Sequence, residues 1–230
     1  MAVFKTTIPY LLGILLAVLG AVIAPLLFPG PASESFSVIT DQSELDAHLK
    51  SFEESLGNDF DGYRNHCLRV LTYAVHFLKE GSGFDASEVS TALPLLGAAV
   101  AYHDIGLWAD GELYYIEVSA ERAKEALQDK FSAQQIATIH TIIMEHHKIT
   151  PWHGEDEDLV NAVRKADWLD ATLGFVRHGM PTGNIAMTRR ALEEAGFHET
   201  LMGMFGRLKP SSYNLPHPKG FIEFFGIFRL

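Results

Sequence analysis

Cysteine is almost missing from this chain: Cys67 stands alone among 230 residues. No internal disulfide can form, and a zinc site built on thiolates is excluded. Basic residues are scarce as well. There are 18 lysines and arginines against 29 acids, for a formal charge of -11, and the bases form no block. A nucleic-acid polymer, which is held through a positive footprint, is therefore not an expected partner. A small anionic ligand stays admissible, because a bound cation reverses the local sign of the field. Strand patterning is poor too. Only "ELYYIEV", residues 112 to 118, approaches a strand pattern, and it is short. No internal repeat is present.

What is abundant is apolar sequence. Residues 8 to 28, "IPYLLGILLAVLGAVIAPLLF", carry no charge over 21 positions. As a helix that length crosses a hydrocarbon core of about 30 Å. The reading is a single N-terminal transmembrane anchor within residues 1–30, with a cleaved signal peptide as the alternative. Lys5 and the amino terminus precede the run, and no Lys or Arg follows before Lys50. The positive-inside rule then places the following domain on the extracytoplasmic side. Residues 31–40 have linker character, as in "PGPASESFS" at 29 to 37.

From residue 41 the pattern is helical. Ser43 is a candidate N-cap. In "RNHCLRVLTYAVHFLKE", Cys67, Val70, Leu71, Ala74, Phe77 and Leu78 form one stripe closed by Gly81. A buried helix is expected from just before Pro94 to Gly106. Ser132 and Gln135 read as a capping box. The helix of "DEDLVNAVRKADWLDATLG" closes at Gly174, and a further one is expected near 187–195. These elements predict an all-α bundle over 41–178, with a helical and loop extension over 179–230 packed on it. Its last residues, "KGFIEFFGIFRL", either dock on the core or touch a membrane.

Metal centres in helical bundles use side chains projecting inward from different helices. His and Asp interrupt apolar faces at His66, at the doublet His103–Asp104, and at Asp167, with Asp170 a rival one turn later. Two imidazoles and two carboxylates suit a borderline-to-hard divalent ion: Mn, Fe, Co, Ni or Mg. Adjacent residues in a straight helix diverge by about 100°. His103 and Asp104 can share an ion only where the helix ends, and Gly106 is expected to end it. Arg69 and the run His146, His147 and Lys148 are candidates to steady an anionic substrate. His140, seven residues before His147, shares its face. His140, His146 and His147 also read as ligands of a second metal, or as a polar last turn that favours the helix dipole.

The order His66, then His103–Asp104, then Asp167, on a helical background, resembles the HD-domain superfamily of metal-dependent phosphohydrolases, over about residues 60 to 175. The resemblance implies a fold of five or more helices and a metal held by His66, His103, Asp104 and Asp167. It also implies hydrolysis of a phosphate ester of a small molecule or nucleotide by metal-activated water, with Asp104 as the catalytic proton acceptor. In dinuclear members, histidines between the doublet and the last aspartate bind the second ion, the interval that holds His140 to His147. Leu107 and Trp108 stand where the stringent-nucleotide hydrolases carry an acidic pair. Leu107 also replaces the lysine that follows HDIG in the cyclic-dinucleotide phosphodiesterases, and no GYP signature is present, so no subfamily follows. Other readings are an HD-fold hydratase, a di-iron oxygenase, or a membrane-tethered sensor that uses its metal structurally.

Overall fold

The computed structural model describes residue 20, residues 23–110 and residues 115–207. Among these residues there are helices and no strands, so the all-α expectation holds. The elements are α1 (Ser43–Lys50), α2 (Glu53–Leu56), a 3-10 turn (Gly57–Asp59), α3 (Phe60–Gly81), α4 (Ala86–Tyr102), α5 (Gly106–Ala109), α6 (Tyr115–Leu127), α7 (Ala133–Glu145), α8 (Glu157–Ala171), α9 (Thr182–Ala191) and α10 (Phe197–Arg207). Most of the apolar run at 8–28 and all of 208–230 lie outside the described residues, so the expected anchor and the C-terminal apolar run are not described.

The long helix α3 is the axis, packed most extensively on α8 and also on α4. The stripe read from the sequence is the face it buries, with Cys67, Val70, Leu71, Ala74 and Leu78 fully out of water. Burial stabilises by about 1.5–3 kcal/mol for each large aliphatic side chain. Helix α4 also packs against α1 and α7, and α6 lies on α7. The stretch Ala86–Ala109 is long and apolar enough to cross a membrane, but most of it is buried inside the domain, as the core helix of a bundle is.

Several boundaries differ from expectation, each for a local reason. Gln42, not Ser43, caps α1 by accepting the Leu45 N–H. Helix α4 starts eight residues before Pro94, at a capping box in which Asp85 and Glu88 exchange hydrogen bonds. Pro94 is tolerated inside it because both Pro94 and Ser90 face solvent, where water serves the carbonyl that loses its partner. The Ser132–Gln135 capping box forms as read. Helix α8 ends in two crossed bonds, Leu173 N–H to Asp170 O and Gly174 N–H to Leu169 O, with Leu173 itself in the left-handed region at φ 56° and Gly174 at φ 87°. The helix expected near 187–195 is α9, which starts earlier and ends at Ala191; a turn in which Ala195 and Gly196 have φ of 45° and 82° then leads to α10. The candidate strand "ELYYIEV" is helical where described, from Tyr115. Its apolar positions Ile116, Ala120, Ala123 and Leu127 follow the helical period instead.

The linker-like stretch also behaves differently: it is docked. Gly30 N–H donates to Thr182 Oγ1 at 3.3 Å, and Ser33 N–H to Asn184 Oδ1 at 2.8 Å. Phe36 enters the core, and Ile39 N–H donates to Thr72 Oγ1. Gly183 allows this approach, since a Cβ there would lie 2.2 Å from the Pro31 carbonyl. Gly183→Ala is therefore expected to cost about 1–3 kcal/mol in urea unfolding and to open residues 29–37 to limited proteolysis. Unchanged stability and cleavage would contradict the docking.

Candidate metal centre

Two helix ends and two helix interiors converge on one buried point. His66 and Asp167 project from within α3 and α8, while His103 and Asp104 follow the last residue of α4. His146 occupies the same position after α7. All five are buried, and His147 is 14% exposed. The doublet stands in a tight turn, with Ile105 N–H on Tyr102 O and Leu107 N–H on Asp104 O. That turn breaks the helical divergence of neighbours. Gly106 does not end α4 as expected. It opens α5, donates its N–H to Ser119 Oγ at 2.9 Å, and lets α6 approach so closely that a Cβ would lie 2.8 Å from Tyr115 O.

Each buried imidazole has one nitrogen already committed. His103 Nδ1 lies 2.6 Å from Val100 O, and His146 Nδ1 lies 2.6 Å from Ile143 O. A carbonyl only accepts, so both Nδ1 atoms carry the proton. His66 Nδ1 donates to Asp170 Oδ2 at 2.8 Å. All three Nε2 lone pairs are left facing the centre. His66 Nε2 lies 3.1 Å from His103 Nε2 and 3.5 Å from Asp167 Oδ1. His103 Nε2 lies 3.3 Å from Asp104 Oδ2 and 3.6 Å from Asp167 Oδ1, and the longest of these separations, His66 Nε2 to Asp104 Oδ2, is 3.9 Å. Ligands about 2.1 Å from a first-row divalent ion stand about 3.0–3.4 Å apart around it. The four donors expected from the sequence thus form a group that can hold a metal ion.

A second group shares the carboxylates. Asp104 Oδ1 lies 3.2 Å from His146 Nε2, and Asp167 Oδ2 lies 3.5 Å from His147 Nε2. Asp104, His146 and His147 have donor atoms close enough to hold a cation together. Asp104 belongs to both groups, one oxygen toward each, and Asp167 turns its second oxygen toward His147. Asp104 Oδ1, Asp167 Oδ2 and His146 Nε2 are buried without a hydrogen-bond partner. Leaving such groups unmatched costs about 1–3 kcal/mol each, and more when charged. Divalent cations fit this donor set. In their absence burial alone would lower the His103 imidazole, but Asp104 and Asp167 carry its pKa well above the ordinary value. Burial would raise Asp104, yet His103 and His146 hold it well below the carboxylate range. Burial, with His146 beside it, lowers His147 to about 4, so its ring is neutral and able to ligate at neutral pH.

Support comes from further out. Arg69, fully buried, forms a bidentate pair with Asp170 at 2.8 Å on both arms, and its remaining nitrogen reaches Leu192 O and Glu193 O. It is therefore not the substrate donor it was expected to be; it fixes Asp170, and Asp170 fixes His66. Asp170, the rival candidate, accepts from His66 Nδ1 and turns no oxygen to the centre. Phe197 of α10 stacks on His66, centroids 4.1 Å apart and planes 11° apart. His198 Nε2 donates to Asp170 O, and His198 Nδ1 meets Glu194, which also pairs with Arg189. His140 stands apart from both groups, 3.5 Å from Glu121 on the surface of α7. Lys148 follows His147 and is half-buried.

Two tyrosines escaped the sequence reading. Tyr63, one turn before His66, donates to Ala101 O and accepts the Asp104 N–H, tying α3 to the doublet. Its spacing from His66 was the available signal. Tyr115 brings its hydroxyl 3.4 Å from His147 Nδ1, and nothing local marked it.

Asp170→Asn is expected to weaken metal binding about 10–100-fold and, by stranding Arg69, to cost about 3–5 kcal/mol of stability. Metal titration and urea unfolding read the two effects. The Glu194–His198 pair carries a pH signature. Burial would raise Glu194, but His198 and the Arg69 and Arg189 guanidinia hold it at about 2. Burial would lower His198, but Glu194 and Asp170 raise it. A depressed acid supports the fold above its ordinary 4.5 and loses that support as pH falls. A raised imidazole supports it below its ordinary 6.5 and loses that support as pH rises through the folded value. The pair's full contribution therefore lies between those values, and Glu194→Gln should flatten both limbs of the urea midpoint against pH. Comparison with family models, curated proteins and solved structures returned no match for this chain, so the reading of the centre rests on its own geometry.

Proposed function

We propose that this domain is a metal-dependent hydrolase of the HD type that cleaves a small phosphate ester, and that residues 8–28 anchor it in a membrane. The observation that carries the first part is the convergence of three Nε2 atoms and two carboxylates in one buried cluster, the Nδ1 partners of His66, His103 and His146 being already supplied by the fold. Such a cluster costs stability unless a cation compensates it. A bound divalent ion supplies acidity to water near neutral pH and polarises a phosphoryl oxygen.

The chain's own residues supply the rest. His66, His103, Asp104 and Asp167 hold the cation, with His146 and His147 completing a second position across the two aspartates. When only the first position is filled, Asp104 Oδ1, free of hydrogen bonds, is placed to accept a proton from the attacking water. His147 is the most exposed of the six donors, so substrate would approach from its side, with the Tyr115 hydroxyl beside it. Lys148, the next residue, is the cation nearest in sequence to steady phosphate charge. Leu107, Tyr115 and Ile116, with Trp108 and Met144 packed on them, form an apolar flank that limits water beside it.

A second reading draws on the same six donors: a di-iron oxygenase, or a hydratase. Iron content and substrate-dependent oxygen uptake separate the oxygenase from the hydrolase.

The decisive experiment is elemental analysis of the purified full chain, followed by phosphatase and phosphodiesterase assays with Mn, Co, Ni and Mg. His103→Ala and Asp104→Ala should each abolish metal retention and turnover while far-UV circular dichroism stays near that of the parent chain. Full turnover by either variant after metal stripping and reconstitution would refute the site.

A further inference from the structure

The end of the domain that receives the N-terminal segment is unusually apolar. Nine large apolar side chains are exposed among the described residues, and six lie here: Leu27, Phe28, Leu173, Phe175, Val176 and Met187. Phe28 is 80% and Phe175 53% exposed. They come from three separate parts of the chain, brought together by Leu26. Its Cδ2 lies 3.1 Å from where a Cβ on Gly174 would stand, beside Ile185 of α9. Large exposed apolar clusters mark contact surfaces.

Charge at this end runs against the rest of the molecule. From Ala171 to Leu192 there is no acid, while Arg177, Arg189 and Arg190 are present, in a chain of formal charge -11. Residues 23–33 carry no charge at all. An apolar surface edged with arginine is complementary to a bilayer bearing anionic headgroups. Position points the same way. Leu27 and Phe28 are the last residues of the apolar run at 8–28, and from Gly30 to Ser33 the chain is hydrogen-bonded to α9. No loose tether separates the run from the domain.

We infer that this face, formed by residues 27–28, the 173–176 loop and α9, seats the domain directly on a membrane that contains anionic lipid. The inference rests on the anchor reading for its geometry and adds a fixed orientation to it. Arg177 and Arg190 meet the headgroups, while Arg189 is held by Glu194; Phe175 and Val176 enter the interfacial layer, and the domain cannot swing away from the bilayer.

The sole native cysteine is buried, so a thiol placed on the surface labels alone. Full-length Phe175→Cys, Val176→Cys and, as a control on α6, Val118→Cys would carry a fluorophore in phosphatidylcholine vesicles with and without phosphatidylglycerol. Lipid-borne bromine is expected to quench the labels at 175 and 176 but not at 118. Quenching should fall when phosphatidylglycerol is withheld or when Arg177→Ser and Arg190→Ser are combined. Resistance to alkaline carbonate reads the anchor separately. A carbonate-resistant chain with unquenched labels at 175 and 176 overturns the seating face alone, whether water, the 220–230 segment or a second copy covers those positions. Carbonate extraction with quenched labels overturns the anchor alone. Extraction without quenching overturns both.

Discussion

Arg69 and Asp170 meet as a doubly hydrogen-bonded ion pair entirely out of water, and the centre of the molecule is arranged around that contact. A guanidinium in such a place has to find acceptors for all its donors. Asp170 takes two, the carbonyls of residues 192 and 193 take two more, and Glu194 lies 3.7 Å from Nη2. One interaction therefore locks α3 to α8 and to the turn after α9. It also leaves Asp170 one oxygen in position for His66 Nδ1. The direction of His66 Nε2, and with it the point where the other donors meet, follows from a pair that touches no ligand.

The same economy recurs at His103 and His146. Each follows the last residue of a helix and returns its Nδ1 proton to a carbonyl three residues earlier, in the last turn of that helix. A helix end is thus closed and an imidazole tautomer chosen by one bond. The part of the chain read as an extension is integral to this arrangement. Phe197 covers one face of His66, Glu194 and His198 brace Asp170 and Arg69, and Thr200 holds Asp59, which also receives the Trp108 indole. The N-terminal side is tied in likewise, through Ser33 and Phe36.

Much of this was legible in residue order. The helical periods, the Ser132 capping box and the four donors that converge were all visible, because each depends on residue type and local spacing. The errors share a cause. Arg69 looked like a substrate donor because its position one turn after His66 says nothing of the buried carboxylate awaiting it on α8. His140 looked equivalent to His147, since seven residues bring side chains near the same face. The small phase drift over two turns, and the end of α7 between them, send one to Glu121 and the other to the centre. Gly106 looked like a stop signal, whereas its want of a Cβ serves the approach of α6.

The sequence by itself determined an all-helical domain, which side chains are able to bind a cation, and an uncharged N-terminal run. Those are properties of composition and period, carried by each segment alone. Only the tertiary structure decided which imidazole nitrogen faces inward, which arginine is consumed by the core, that Asp104 turns one oxygen to each of two groups, and that three arginines far along the chain lie on the end of the domain that receives Phe28. These depend on where a carbonyl points and on what has been removed from water, and neither is settled until distant segments pack.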